Sequence, residues 1–359
     1  MKKLLMIFVA IFAIAACDDT PKSDKPVVKI GLIAPVSGEH AEVGTNIRNI
    51  IMNYVRDTAD DNAIEYKLIV EDDGSNMKND APLAQKLINV DNADALITAY
   101  AYVGMVVAPI ARDAKIPNIN IGVNEAAADG IYNFINLTPP SETSREMIKN
   151  LRARNIKNVA LIVMDHAGPL PQARELKKLL NAEKIKYTEH GFGPHERDFK
   201  TLVQKVKTEN PDIIVLLAMP PSLDILGKQI AEADLKIPLT SQTFFSTSNN
   251  KELFNGMFYT DIPDGNDKFV AETKRKMGIE NLFLLAFAQD IIKMYIDTIE
   301  DFYAENGRVP TRDEIAAGIR NLTDFHGAAG TYSMGENGVI KSRAVTKEIR
   351  NGVPVTVKD

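Results

Sequence analysis

The sequence predicts an α/β protein of two doubly wound parallel-sheet lobes, and three observations carry that expectation. Short apolar runs alternate with segments whose apolar residues recur at helical spacing, first from Val27 to about Ile121 and again from about Thr143 to Thr240. Several of these runs are apolar without alternation, as strands covered by helices on both faces must be. The chain has 359 residues, more than a single core of ordinary size organises.

Each element follows from local pattern. Residues 28–33 form an apolar strand stopped at Pro35 and Gly38, and Ile47, Ile50, Ile51, Tyr54 and Val55 share one face of a helix. Residues 66–70 are a strand ended by Glu71-Asp72-Asp73-Gly74, and Leu83, Ala84, Leu87 and Ile88 mark the next helix. A strand at 95–98, a helix at 103–114 and a strand at 116–121 complete the first run. After Pro139-Pro140 the rhythm restarts with a helix at 143–154 and a strand at 158–164. Helix 172–181, strand 185–189, helix 199–207, strand 212–217, helix 222–233 and strand 237–240 follow. The last third differs. Helices are expected at 269–277 and 283–303, and Thr311 with Glu314 three residues later is a capping box opening another. From Gly327 the chain turns β-rich, with an Asn337-Gly338 turn and a strand-forming stretch at 345–357.

The first residues read as an address. Lys2 and Lys3 precede a thirteen-residue apolar run, residues 4–16, too short to cross a bilayer, which takes about 20 residues. It fits a signal peptide. Ile14-Ala15-Ala16-Cys17 resembles the lipobox of bacterial lipoproteins, which implies cleavage before Cys17 and acylation of that residue. More than one acyl chain holds such a protein firmly to a membrane. The expected location is the periplasmic face of a bacterial membrane. Asp18 points to the inner membrane over the outer, and residues 17–26 form a polar tether.

Composition excludes several function classes. Loss of residues 1–16 leaves 40 basic against 48 acidic side chains, the wrong balance for gripping nucleic acid. Cys17 is the only cysteine, so neither an internal disulfide nor a two-cysteine metal or redox motif can form. No H-E-x-x-H, G-x-S-x-G, phosphate-loop or dinucleotide fingerprint occurs, and the five histidines do not cluster in sequence. No enzyme activity and no cofactor are expected. His190 and His195 read as residues of a solvent loop, and Asp72-Asp73 as turn and cap residues, with cation binding the alternative.

A family resemblance enters at the strand ends, where ligands of open parallel sheets bind. Pro35-Val-Ser37-Gly38-Glu-His-Ala41-Glu-Val-Gly44 resembles the opening motif of leucine/isoleucine/valine-type periplasmic binding proteins. So do Asp72-Asp73, Ala108-Pro109-Ile110-Ala111 with Ile116-Pro117, Asp198-Phe199, and Phe325-His-Gly327-Ala-Ala-Gly330 with Glu336-Asn-Gly338. The resemblance implies two lobes joined by three crossovers near 138–140, 261–265 and 325–330. Lobe 1 is then expected at 27–138 plus 264–326, and lobe 2 at 139–263 plus 327–359.

The resemblance also implies where a solute sits. Ser37 and Val43 fall in the first loop, Val43 where an aromatic is usual. The serine-bearing loop falls on Tyr100, Ala101 and Tyr102, and the next gripping loop on Gly122, Val123 and Asn124, where Asn124 reads alternatively as a turn residue. In the second lobe His166 lies at a strand end, and the usual tyrosine falls on Pro169. A further aromatic position falls near Met219 and Pro220, and the acid that pairs an α-ammonium falls near Gln242 or Thr243. A buried ammonium without a carboxylate costs several kcal/mol, so these departures favour an organic carboxylate over an ordinary amino acid. The implied function is a monomeric lipoprotein of an ABC importer that captures a small amino acid or organic carboxylate between its lobes and works with a membrane permease. Ser37-Gly38 and Ser342-Arg343-Ala344-Val345 also resemble lipoproteins that activate peptidoglycan synthases, the alternative reading. A sensor role is a third.

Overall fold

The structure, a computed structural model, describes residues 25–357. The expected signal peptide and Cys17 lie outside the described residues. The first lobe begins with β1 (Val27–Ala34), α1 (Ala41–Thr58), β2 (Glu65–Asp72), α2 (Asp80–Asn89), β3 (Ala95–Ala99), α3 (Ala101–Asp113), β4 (Asn118–Ile121) and β5 (Asn133–Ile135). Its strands are all parallel, in the order β2-β1-β3-β4-β5. The apolar runs read from the sequence become strands sealed on both faces. Ile30, Leu32 and Ile97 pack under α1 on one side, and Ile33 and Leu96 pack with Leu87 and Val103 on the other.

The second lobe repeats the plan with α4 (Pro140–Ala153), β6 (Asn158–Met164), α5 (Pro169–Ala182), β7 (Lys186–Phe192), α6 (Lys200–Glu209), β8 (Ile213–Leu217), α7 (Ser222–Glu232), β9 (Leu239–Ser241), the single turn α8 (Phe244–Thr247) and β10 (Phe258–Asp261). Its parallel order is β7-β6-β8-β9, and a bridge from Gln242 to Thr260 attaches β10. β5 and β10 were not read from sequence, because each is short and interrupted by Asn133, Thr260 or Asp261. His190, expected in a solvent loop, lies instead within β7, buried, with Nε2 2.9 Å from Glu209 Oε2.

Helices α9 (Asp267–Met277), α10 (Leu285–Asn306) and α11 (Arg312–Arg320) return to the first lobe. The expected capping box is present at α11, with Thr311 Oγ1 accepting from Glu314 N and Glu314 Oε2 accepting from Thr311 N. Phe287, Ile291 and Tyr295 of α10 enter the first core, and Tyr295 OH donates to Leu96 O at 2.8 Å. The ribbon β11 (Phe325–His326) with β12 (Thr331–Tyr332) docks on α10, where Asp290 accepts from Tyr332 OH at 2.7 Å and from Ala329 N at 2.9 Å. β13 (Val345–Arg350) and β14 (Val353–Thr356) close the sheet edge beyond β10.

The chain crosses between the cores at 136–139, 262–266 and 341–344. The third crossing differs from the expected 325–330. Ala328, Tyr332, Met334, Val339 and Ile340 all pack in the first core, and Val339 bridges Ile135. Residues 327–340, expected in lobe 2, are therefore part of lobe 1. The crossings are tied together: Thr138 Oγ1 meets Ser342 Oγ at 2.9 Å, and Lys347 Nζ lies 2.9 Å from Asp261 Oδ2 and 2.6 Å from Asp264 Oδ1.

Candidate functional site

In a sheet ordered 2-1-3-4-5 the connections reverse direction between β1 and β3, which leaves a crevice at the carboxyl ends of those strands. The same reversal occurs between β6 and β8. The two crevices face each other across a cleft of about 550 Å³. His40 arrives from the loop after β1, Tyr100, Ala101 and Tyr102 from the end of β3, and Ile121, Gly122 and Val123 from the end of β4. The other lobe brings His166 and Gly168 after β6, Arg197 after β7, Met219, Pro220 and Pro221 after β8, and Thr243 and Phe244 after β9.

Local chemistry explains how the first lobe presents these groups. Asp72 Oδ1 accepts from the backbone N–H groups of Val36, Ser37 and Gly74 at 2.9–3.1 Å, which pins the loop after β1. Asp73, fully buried, accepts the Tyr102 hydroxyl proton at 2.8 Å. The two acids act as turn and anchor residues, and no group of three or more metal-ligating side chains occurs among the described residues. Asn120 Nδ2 donates to the carbonyls of Thr98 and Tyr100, so β4 fixes the turn that carries Tyr100.

The walls combine rings with cations. His40 stacks on Tyr100 with centroids 4.9 Å apart, Tyr100 lies 5.9 Å from Tyr102, and Tyr102 meets His166 of the other lobe edge-on at 6.4 Å. Burial lowers the pKa of both histidines, so these rings are neutral at pH 7. Arg197 Nη1 donates to neutral acceptors only, the carbonyls of Pro194 and Glu196 and the hydroxyl of Ser222, at 2.7–2.8 Å. Lys251 Nζ donates to Ser248 O at 2.7 Å, and burial lowers its pKa.

Three residues of the cleft wall depart from the usual backbone regions. Tyr100 (φ 76°, ψ 151°), Thr243 (φ 60°, ψ −30°) and Leu284 (φ 69°, ψ −12°) all line the cleft with positive φ. Such conformations cost about 1–3 kcal/mol each in non-glycine residues and cluster at ligand sites. Tyr100 sits in a region populated almost only by glycine, and the β-branched Thr243 is an outlier as well.

Of the residues singled out from sequence, Val43, Tyr100, Ala101, Tyr102, Gly122, Val123, His166, Met219, Pro220 and Thr243 line the cleft. Four do not. The Ser37 backbone N–H is held by Asp72. Asn124 caps a short 3-10 turn by accepting from Ala126 N, as its alternative reading had it. Pro169 is buried at the first turn of α5. Gln242 is fully buried and donates to Ser144 Oγ at 3.0 Å. Sequence reasoning missed Arg197, although applying the strand-end rule to β7 would have reached it. It also missed Gln172, Lys251 and Phe283, which arrive from helices or helix-flanking segments that carry no local signal.

Fold and cleft together define a two-lobed binding protein of the type 1 periplasmic class. The family model described as periplasmic binding protein matches residues 27–347, and the chain belongs to that family. Among curated relatives, the Leu/Ile/Val-binding protein homolog 1 of Brucella abortus is 24% identical over 250 residues, 67% of this chain. The chain spans 66% of that relative's length, just under two thirds. Among solved structures, the leucine-binding protein LivK of Thermotoga maritima superposes with a TM-score of 0.82 at 20% identity, covering 92% of this chain and 98% of that one. A solute-binding protein of an ABC transporter from Rhodopseudomonas palustris, in complex with 3,4-dihydroxybenzoic acid, superposes at 0.80 and 20% identity, covering 93% and 97%. No helix among the described residues is long and apolar enough to cross a membrane.

Proposed function

We propose that this chain is the solute-capturing lipoprotein of an ABC importer. It closes two lobes over a small organic acid, without chemical change, and presents the closed form to a membrane permease. The observation that carries the reading is the cleft itself, whose walls come from the strand ends of both lobes and which holds Arg197 and Lys251 bonded to neutral acceptors only. The amino end of α3 also opens onto it through Ala101, and the positive end of that helix dipole favours an anionic ligand. The apolar and ring surfaces of Val43, Tyr100, Met219, Phe244 and Phe283 suit an aliphatic or aromatic body. Relatives that bind leucine, isoleucine or a dihydroxybenzoate fit the same description. Closure is a hinge motion about the three crossings, which a solute drives only through its preference for the closed form. Anchoring through Cys17 at the periplasmic face belongs to this reading.

The test is a thermal-shift and calorimetric screen of the protein against amino acids and aliphatic and aromatic carboxylates. A ligand at 100 times its dissociation constant adds about 2.7 kcal/mol to stability. Arg197→Met is expected to weaken the best carboxylate about tenfold or more, the loss of a charge-assisted hydrogen bond. A screen in which no organic acid shifts the protein defeats the proposal.

A further inference from the structure

The cleft wall contains one polar network whose accounts do not close. Gln172, on the first turns of α5 and 1% exposed, donates through Nε2 to Thr243 Oγ1 at 2.9 Å. Thr243 Oγ1 in turn donates its single proton to Gln242 O at 2.7 Å. That proton has one destination, so Thr243 can only accept from Gln172. The amide orientation of Gln172 is thereby settled: nitrogen faces Thr243, and oxygen is the atom left over. Gln172 Oε1 is buried and meets no donor.

Buried acceptors left without a donor are rare and carry an uncompensated desolvation cost. This one belongs to a residue of the cleft wall, and its neighbour Thr243 is held at φ 60° on the same wall. The strained turn after β9 aims the Thr243 hydroxyl at Gln172, so two elements combine to fix the amide plane. Gln242 also has an unmatched Oε1, but it lies outside the cleft lining and beyond a solute's reach.

We infer that Gln172 is a specificity-determining residue, and that the solute carries a hydroxyl or N–H group whose proton is received by Gln172 Oε1 when the lobes close. The inference rests on the solute-capture reading and narrows it from organic acids in general to organic acids bearing a second, donating group. Arg197 and Lys251 take the negative end, and Gln172 takes the donor. A purely apolar acid fills the cleft but leaves the amide oxygen unmet.

Matched pairs of probes test this. Calorimetric titration of the protein with 4-hydroxybenzoate against 4-methylbenzoate isolates a hydroxyl, and leucine against 4-methylpentanoate isolates an ammonium. The donor-bearing member of at least one pair is expected to bind tenfold or more tightly, and Gln172→Met is expected to reduce that ratio to within threefold while still binding the apolar member. Equal affinities within every pair that binds overturn the inference and leave solute capture standing. A preference that survives in Gln172→Met overturns the assignment to this residue. Absence of binding by all four acids and by a wider carboxylate panel instead brings down solute capture itself. Should Gln172→Met fail to fold, Gln172→Leu takes its place with the same expected collapse of the ratio, and a ratio that survives there overturns the assignment.

Discussion

Lys347→Met is the perturbation whose consequence the structure specifies most closely. The Lys347 side chain is 1% exposed and its ammonium faces Asp261, itself 0% exposed, and Asp264 at 30%. Desolvation works against the ammonium, but the two carboxylates outweigh it and hold its pKa above the ordinary lysine value. Methionine keeps most of the length and removes the charge. Asp261 is then left in the interior with neutral donors, among them Ser246 Oγ and Ile262 N. Removing one partner of a buried pair costs about 3–5 kcal/mol, because the other charge stays uncompensated. The partial exposure of Asp264 places the expected loss near the lower end, about 3 kcal/mol. Denaturant unfolding at pH 7 measures it.

A pH signature separates this cause from poor packing. Burial already raises the pKa of Asp261, and loss of Lys347 raises it further. A carboxyl with a raised folded-state pKa contributes stability that is lost as pH rises through that value, so the variant recovers as pH falls from 7 toward 5. Asp261→Asn added to Lys347→Met removes the orphan charge and restores most of the loss at pH 7. A single-variant loss under about 1 kcal/mol, or one independent of pH, refutes the argument.

Two further predictions follow from the same kind of reasoning. Asp80 is fully buried with neither carboxyl oxygen bonded to a donor, and burial followed by the nearby Asp73 pushes its pKa up to about 7. It keeps its proton near neutrality and shares it with Asp73, so stability falls as pH rises from about 4 through 7, by about 1.4 kcal/mol per unit of displacement. Asp80→Asn is expected to flatten that slope in thermal melts between pH 4 and 8, and an asparagine variant less stable than wild type at pH 8 contradicts it. Gly44→Ala places a methyl 2.0 Å from Pro35 O, a backbone atom that cannot swing aside. The amino end of α1, which carries Val43 and follows His40, must shift, at about 1–3 kcal/mol or more, and solute affinity falls with it. An unchanged unfolding midpoint shows that the loop yields freely.

Much of the architecture was legible because both lobes obey local rules. A strand such as Asn158–Met164 is continuous, apolar and bounded by turn-forming residues, so its end and the loop that follows can be read directly. The strand-end rule then reached His166, and the family resemblance placed Met219 and Thr243, without any contact information. The third crossing was misread because β-forming character at 330–334 says nothing about which sheet or core receives it. The answer depended on Tyr332 reaching Asp290 and on Val339 bridging Ile135.

From the sequence alone came the alternation of elements, hence two parallel sheets, their strand ends and ten of the residues that line the cleft. The sheets and their strand ends are consequences of patterning within about ten to twenty residues, where backbone geometry dictates which side chains share a face, and the cleft residues were placed on those ends largely by the family resemblance. Tertiary structure alone decided that Arg197, Gln172 and Lys251 line one cleft, that Asp80 lies beside Asp73, and that Lys347 closes on Asp261. Each of those meetings joins segments from separate loops and helices, and no local periodicity encodes a distance between side chains that only packing of the whole chain brings together.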